Sequence, residues 1–141
     1  MKNTDGNDKS KINGFAAETL KGKTIGIAGF GHLGSSIVSA LLAHGFPKER
    51  LLISCGGRGE TLERLRAAGL GRCLTDSAAL MSRADIILLA ARPQNLLDFR
   101  GLTVKKGAFI ISFMAGISLE TLQEIFSAEL CRVMCSGPET I

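Results

Sequence analysis

The chain has 141 residues, of which 45% are hydrophobic, a length typical of one domain with a real core rather than of a long multidomain enzyme. Its 17 Lys and Arg residues outnumber its 13 Asp and Glu residues, and the net charge of +4 is scattered along the chain. Because single-strand binders stack bases on aromatic side chains, the absence of Trp and Tyr argues against a nucleic-acid partner. A modest basic surplus instead suits a small anionic ligand.

The cysteines and the chain's hydropathy indicate a cytoplasmic protein. Cys55, Cys73, Cys131 and Cys135 lack the paired spacing of a zinc site, so we expect reduced thiols and no metal. No apolar run approaches the roughly 20 residues that cross a bilayer, which predicts no membrane contact. Residues 1–22 are mostly polar, lack the apolar segment of a signal peptide and are predicted to form a flexible tail.

From residue 23 onward, short apolar runs alternate with segments of helical periodicity. Gly45 is placed to end the first helix, and Asp76 and Ser118 to cap later ones. Pro93 stands where another helix could begin. Predicted strands cover 24–28, 51–53, 72–74, 85–90, 108–113 and 131–134, and predicted helices cover 35–44, 60–68 and 76–81, with one starting at Pro93 and one following Ser118.

Side chains at helical spacing form the predicted inner faces. They are Ile37, Val38, Leu41 and Leu42 in the first helix, Leu62 and Leu65 in the second, and Leu119, Leu122, Ile125 and Phe126 in the last. The run 85–90 is apolar throughout, as in parallel strands that are covered on both faces. The alternation of strands and helices predicts an α/β fold, a Rossmann-type doubly wound parallel sheet in a single domain spanning 23–141.

A glycine motif directly follows the first predicted strand and opens the first helix. Gly29, Gly31 and Gly34 have the GxGxxG spacing of a dinucleotide-binding loop. In such a loop the first glycine permits a tight turn, the second lets a pyrophosphate approach the backbone, and the third lets helix and strand pack closely. The alternative is a glycine-rich turn without a ligand. His32, inside the motif, is predicted to lie beside the pyrophosphate or in solvent rather than to act in catalysis.

The end of the second strand favours NADP over NAD. An NAD site usually has an acidic residue there for the ribose 2′-hydroxyl, whereas this chain has no acid before Glu60. Ser54 can hydrogen-bond a 2′-phosphate and Arg58 can pair with it. Alternatively, Arg58 is a solvated loop residue, and NAD stays open.

Three further segments resemble the pyrroline-5-carboxylate reductase family. AARPQ at 90–94 is similar to the family's AVKPQ, SFMAGISL at 112–119 to its S-x-x-A-G-I-S-L, and RVMCSGP at 132–138 lies where the family has RVMPNTP. Their order and spacing agree with the family from residue 24 onward. The resemblance implies an oxidoreductase of proline biosynthesis that passes hydride from NADPH to a cyclic imine acid.

The resemblance also implies which residues contact the coenzyme. The pyrophosphate loop falls on Ala28, Gly29, Phe30, Gly31, His32, Leu33 and Gly34. The 2′-phosphate contacts fall on Ser54 and Cys55, aided by Arg58, and the adenosine lies near Ser77. The nicotinamide and its ribose are bordered by Ala90, Ala91, Arg92 and Pro93 and by Phe113, Met114, Ala115 and Gly116, although Phe113 and Met114 also suit core packing. No catalytic acid or base is identified.

The chain departs from the family pattern in two places. Cys135, Ser136 and Gly137 replace the family's Pro-Asn-Thr, which removes hydrogen-bonding groups from a loop that closes over the substrate. We also expect the family's C-terminal helical domain, which makes the dimer and the substrate pocket, to be absent. A homo-oligomer or a separate partner chain would then cover the exposed face.

Two other functions stay open beside the NADP-dependent reductase. One is a reductase of the same superfamily acting on another substrate, and the other is a non-catalytic dinucleotide-binding module. The segment LKGKTIGI at 20–27 also resembles the lead-in to the coenzyme domain of D-2-hydroxyacid dehydrogenases, but the acid expected after their second strand is missing.

Overall fold

The computed structural model describes residues 20–55 and 59–134 of the chain. In these residues the strands are β1 (Ile25–Ala28), β2 (Leu51–Ser54), β3 (Ile86–Leu89), β4 (Phe109–Ser112) and β5 (Glu129–Arg132). The α-helices are α1 (His32–Ala43), α2 (Gly59–Ala67), α3 (Ser77–Arg83) and α4 (Leu119–Ile125). Three 3₁₀ segments cover Lys48–Arg50, Gly71–Cys73 and Pro93–Phe99.

The strands form one parallel sheet in the order β2-β1-β3-β4-β5. The chain runs outward from β1 to β2 and then returns to place β3 on the other side of β1. Helices and connections diverge at this reversal, which leaves a crevice beyond the carboxyl ends of β1 and β3. The predicted Rossmann-type α/β fold is confirmed.

The core lies on both faces of the sheet because successive strand residues point to opposite sides. On one face, Leu80 of α3 and Leu122 of α4 are fully buried. On the other face, Val38 of α1 and Leu65 of α2 are buried. β1 is an internal strand that pairs with β2 on one side and β3 on the other, and all four of its residues are buried.

The third predicted strand is almost absent. The segment Gly71–Cys73 forms a 3₁₀ turn instead, and only Leu74 pairs with the sheet, through one parallel bridge to Ile53. Its backbone extends just far enough for the Thr75 N–H to donate to the Ile53 carbonyl, 2.8 Å away. The predicted helix at Pro93 is likewise a 3₁₀ segment.

Three other expectations differ in detail. α1 begins at His32, three residues before the predicted start, because the glycine loop leads directly into the helix. β5 ends two residues before its predicted end because it pairs residue for residue with β4, which ends at Ser112. Leu119 is 40% exposed rather than on the inner face of α4, because it is the first helical residue and the buried side is set by Leu122.

No helix within 20–55 and 59–134 has the length and apolar character that crossing a bilayer requires.

Candidate functional site

A cleft of about 420 Å³ lies at the carboxyl end of the sheet, at the reversal between β1 and β3. The loop after β1, residues 29–33, forms its centre. Ser54 and Cys55, after β2, line one side, and residues 90–92, after β3, line the other. Parallel sheets bind their ligands at this place, since the loops that follow neighbouring strands separate there.

Two glycines of the loop are required by packing. Gly29 has a φ of +107°, and a Cβ there would lie 2.6 Å from the backbone nitrogen of Ala91. A Cβ on Gly34 would collide with the carbonyl oxygen of Gly29. The turn is therefore so tight, and α1 so close to it, that neither position accepts a side chain.

Packing does not explain the middle glycine. Gly31 has a φ of −87°, which any residue adopts, and a Cβ there would have no neighbouring heavy atom within 4 Å. Gly31 is exposed and lines the cleft. The missing side chain leaves the cleft open above the loop, as a ligand approaching the backbone would need.

The N-terminus of α1 opens onto the same cleft. Its N-cap is Gly31, which provides no side-chain cap, and its first turn contains no acidic residue. His32 and Leu33, the first two helical residues, line the cleft. Helix N-termini carry unpaired N–H groups and a partial positive charge, so this end of the cleft suits an anion.

Comparison with known proteins identifies the family. The family model described as "NADP oxidoreductase coenzyme F420-dependent" matches residues 24–116, which contain the glycine loop and most of the sheet. The chain belongs to this family. Its members are NADP-dependent oxidoreductases by description, which confirms the expected class of protein and, at the level of the family, NADP as the coenzyme.

Individual relatives agree with the family match. The chain is 35% identical over 109 residues to "NADP-dependent oxidoreductase domain-containing protein 1" of Mus musculus, covering 74% of this chain and 29% of that protein. It is 29% identical over 118 residues to "Pyrroline-5-carboxylate reductase 2" of Bacillus subtilis (strain 168), covering 79% of this chain and 42% of that protein. The chain thus spans well under half the length of these curated relatives.

A solved structure extends the likeness to three dimensions. The 1-pyrroline-5-carboxylate reductase of Streptococcus pyogenes superposes with a TM-score of 0.64 at 27% identity, over 79% of this chain and 42% of that chain. The predicted resemblance to the pyrroline-5-carboxylate reductase family is therefore confirmed by both sequence and structure.

The cleft residues fit the dinucleotide of this family. The bare backbone at Gly31 and the uncapped start of α1 suit a pyrophosphate, whose two charges need donors and room. Ser54, which is buried at the end of β2, and Ser77, at the start of α3, offer hydroxyl groups on the side of β2.

Most of the residues predicted to contact the coenzyme are brought together in this one cleft. Its walls contain the predicted residues Gly29, Phe30, Gly31, His32, Leu33, Ser54, Cys55, Ser77, Ala90, Ala91 and Arg92. Among the described residues, no cluster of His, Cys, Asp or Glu side chains is arranged to hold a metal ion.

Other predicted residues lie outside the cleft walls. Ala28 and Met114 are buried in the core, and Gly34 packs beneath the loop. Phe113, Ala115 and Gly116 do not line the cleft, because β3 and its following loop separate the end of β4 from the glycine loop. Pro93, the first residue of the 3₁₀ segment after β3, does not line it either. Arg58 and the segment 135–137 lie outside the described residues.

The cleft also contains residues that belong neither to the glycine motif nor to the segments of the family resemblance. Glu60, Thr61 and Arg64 come from α2, and Asn95, Asp98 and Phe99 from the 3₁₀ segment. Their helical spacing is the sequence pattern that indicates a shared position beside the cleft. Glu60 and Arg64 are one helical turn apart, on a different face from the buried Leu65. A polar pair on the helix that follows β2 could therefore have been assigned to the crevice.

The thiols of the described region differ in environment. Cys73 is buried, and burial raises the pKa of its thiol, which therefore stays protonated at neutral pH. Cys55 is half-buried in the cleft wall. No described thiol is paired in a disulfide.

Proposed function

We propose that this chain is the coenzyme-binding part of an NADP-dependent reductase that passes hydride to the carbon of a C=N bond in a cyclic imine acid. The observation that carries the proposal is Gly31, a glycine that the fold does not require and that leaves the cleft open above the backbone. Support for the substrate class comes from the relatives named pyrroline-5-carboxylate reductase, which this chain covers only in part.

The proposed orientation follows from the two sides of the cleft. The pyrophosphate lies on the loop from Gly29 to Gly34 and on the first turn of α1. The adenosine then extends towards Ser54, Cys55 and Ser77, on the side of β2. The nicotinamide extends towards Ala90, Ala91 and Arg92, on the side of β3. The family resemblance adds the turn at Ala115 and Gly116, which follows β4 and does not line the cleft.

The chain's own residues bind and orient in this proposal. NADPH supplies the hydride when bound, and the protein holds its ring against the substrate and excludes water. Asn95 and Asp98 are polar side chains near the proposed nicotinamide end of the cleft, where a ribose hydroxyl or the substrate would meet them. No described side chain is assigned as a catalytic acid or base.

Coenzyme titration is the first test. Calorimetry or nicotinamide fluorescence on the 141-residue protein should give tighter binding of NADPH than of NADH. A second assay would follow NADPH oxidation with pyrroline-5-carboxylate. Binding without turnover on any tested preparation would leave a coenzyme-binding module, whereas failure to bind either dinucleotide at millimolar concentration would refute the proposal as a whole.

Arg58 gives a more specific prediction. Arg58→Ala should weaken NADPH more than NADH, because removing a guanidinium from a 2′-phosphate loses a charge-assisted hydrogen bond that only NADPH forms. Titrations of both dinucleotides with the wild type and the variant measure the ratio. Equal losses would show that Arg58 does not contact the 2′-phosphate.

A second substrate class is favoured by one sequence feature. Cys135, Ser136 and Gly137 stand where pyrroline-5-carboxylate reductases have Pro-Asn-Thr. Because this chain has Ser136 in place of the family's amide and Gly137 in place of its threonine hydroxyl, the proposed alternative substrate is an imine other than pyrroline-5-carboxylate. A panel of cyclic and acyclic imines, assayed with NADPH, would separate the two substrate classes.

A further inference from the structure

Two charged side chains of α2 line the cleft on the side of β2. Glu60 is in the first turn of the helix, and Arg64 lies one turn later. Both line the main cleft and also a shallower neighbouring groove, together with His32. They are therefore at the rim of the region that the proposed function assigns to adenosine.

Arg64 is held in place by the glycine loop. Its Nη2 donates a hydrogen bond to the carbonyl oxygen of Phe30, 3.2 Å away and 34 residues earlier in the chain. Because a trans peptide is planar, fixing this carbonyl also fixes the direction of the Gly31 N–H. A guanidinium has five N–H donors, so most of its donors remain available to a ligand.

Glu60 does not neutralise this arginine. No ion pair within 4.0 Å joins the Glu60 carboxylate to the Arg64 guanidinium, and the structure describes both residues. The two opposite charges thus stand side by side in the cleft wall. Each is available to a group that enters between α2 and the loop.

We propose that Glu60 and Arg64 together determine the preference of this cleft between a 2′-phosphorylated and an unphosphorylated adenosine. Arg64 attracts the phosphate, while Glu60 repels it and accepts a hydrogen bond from a free 2′-hydroxyl. The inference rests on the proposed function. It assigns part of the preference between NADPH and NADH to the first two turns of α2, in addition to the residues at the end of β2.

The two side chains have opposite effects on the same ratio. Removing the positive charge lowers the affinity for NADPH more than that for NADH, because only NADPH carries the 2′-phosphate. Removing the negative charge raises the affinity for NADPH, and it weakens the hydrogen bond from the free 2′-hydroxyl, which NADH has and NADPH lacks. A purely structural role for either residue would change both dinucleotides by the same factor.

The test compares four ligands on the 141-residue protein by calorimetry: NADPH, NADH, 2′,5′-ADP and ADP. The last two carry only the adenosine end, so they isolate the 2′ position. Arg64→Gln should weaken NADPH and 2′,5′-ADP about tenfold to a hundredfold, with smaller changes for NADH and ADP. Glu60→Gln should strengthen the 2′-phosphorylated ligands relative to the others about threefold to tenfold.

Matched controls lie on the same helix. Arg66→Gln removes the same charge from an exposed position that lines neither cavity, and Glu63→Gln removes an acid outside the main cleft. Both should leave the ratio of NADPH to NADH affinity unchanged. Circular dichroism on each variant separates a loss of helix from a loss of contact.

The outcomes separate this inference from the proposed function. If the wild type binds neither dinucleotide, the proposed function fails. If the wild type binds dinucleotides but Arg64→Gln changes all four ligands equally, Arg64 only positions the loop and the inference is overturned. A ratio that changes as much in the Arg66 control as in Arg64→Gln would also overturn it, since net charge alone would then explain the preference.

Discussion

At the scale of single residues, the three glycines of the GxGxxG motif have different roles. Gly29 and Gly34 are imposed by close backbone contacts, so larger residues there would damage the fold. At Gly31 a Cβ would meet no heavy atom within 4 Å, and this residue lines the cleft. Substitutions at Gly29 or Gly34 should therefore lower the stability of the fold, whereas a substitution at Gly31 should affect ligand binding.

Gly31→Val should abolish dinucleotide binding while the protein stays folded, because the added side chain occupies the space above the pyrophosphate loop. Its cost in stability should be about 1 kcal/mol, the usual penalty for an apolar N-cap. Gly34→Ala is the contrasting variant and should unfold at markedly lower temperature. Coenzyme titration and thermal unfolding of both proteins test this, and retained affinity in Gly31→Val would refute the placement of the site.

The motif and the resemblance were enough to predict the glycine loop and the residues after β2 and β3. They did not predict Arg64, because its contact with the Phe30 carbonyl joins residues 34 positions apart and depends on how α2 packs. For Met114 the resemblance implies a coenzyme contact while its apolar side chain also suits core packing, and the side chain is buried in the core. A family pattern indicates which segments lie near the coenzyme, whereas the packing of each side chain determines whether it reaches the cleft.

At the scale of elements, short helices depend on their caps. α3 has only seven residues, and the Asp76 Oδ1 accepts a hydrogen bond of 2.7 Å from the Ala79 N–H at its start. The Ser118 hydroxyl caps α4 in the same way, accepting from the Thr121 N–H at 3.2 Å. Both caps were predicted from the sequence, since Asp and Ser before an apolar periodic segment are strong start signals.

Asp76→Ala should destabilise the protein by about 1 kcal/mol, because the first turn of α3 then loses its side-chain acceptor. Asp76→Asn keeps an acceptor oxygen and should retain most of the stability. Urea unfolding of the wild type and both variants measures the difference. Equal destabilisation by the two substitutions would show that the charge, rather than the cap, matters.

Elements with strong local signals were predicted well, and elements fixed by tertiary pairing were not. The apolar runs that became β1, β3 and β4 carry their own β-branched and aliphatic pattern. The segment around Leu74 does not, and its single bridge to Ile53 depends on how far the connection from α2 can reach. The end of β5 is set by its pairing with β4, which a sequence pattern cannot show.

At the scale of the whole molecule, Asp85 ties several parts of the sheet together. Its Oδ2 accepts a hydrogen bond of 2.8 Å from the Thr24 N–H, and its Oδ1 forms an ion pair with Lys105. Its backbone carbonyl also accepts from the Phe109 N–H, at 2.9 Å. The starts of β1, β3 and β4 thus meet at one residue, at the end of the sheet opposite the cleft.

The pKa of Asp85 is lowered, first by the hydrogen bond from Lys105 and then by that from the Thr24 N–H. Since the folded pKa lies below the unfolded value of about 3.9, the carboxylate stabilises the fold above that pH and loses this effect as pH falls through the folded pKa. Asp85→Asn keeps an oxygen for the Thr24 N–H but loses the negative charge that pairs with Lys105, a partner that is 43% exposed, so it should cost about 0.5 kcal/mol at pH 7.

Urea unfolding from pH 7 down to pH 2.5 would measure this dependence. The difference between the wild type and Asp85→Asn should shrink as the medium becomes more acidic. Asp98→Asn, at an exposed carboxylate, is the matched control for stability. A difference that stays constant over the whole range would show that the Asp85 charge does not contribute.

The position of β1 has a consequence for synthesis of the chain. Among the strands of residues 20–55 and 59–134 this apolar strand comes first, yet its partners are β2 and, much later, β3. While the polypeptide leaves the ribosome, one edge of β1 must wait until residues 86–89 have emerged. Pairing between strands that are remote in sequence slows folding and prolongs the exposure of an unpaired strand edge. Chaperone dependence during translation should therefore be greatest before β3 is made and fall once it docks.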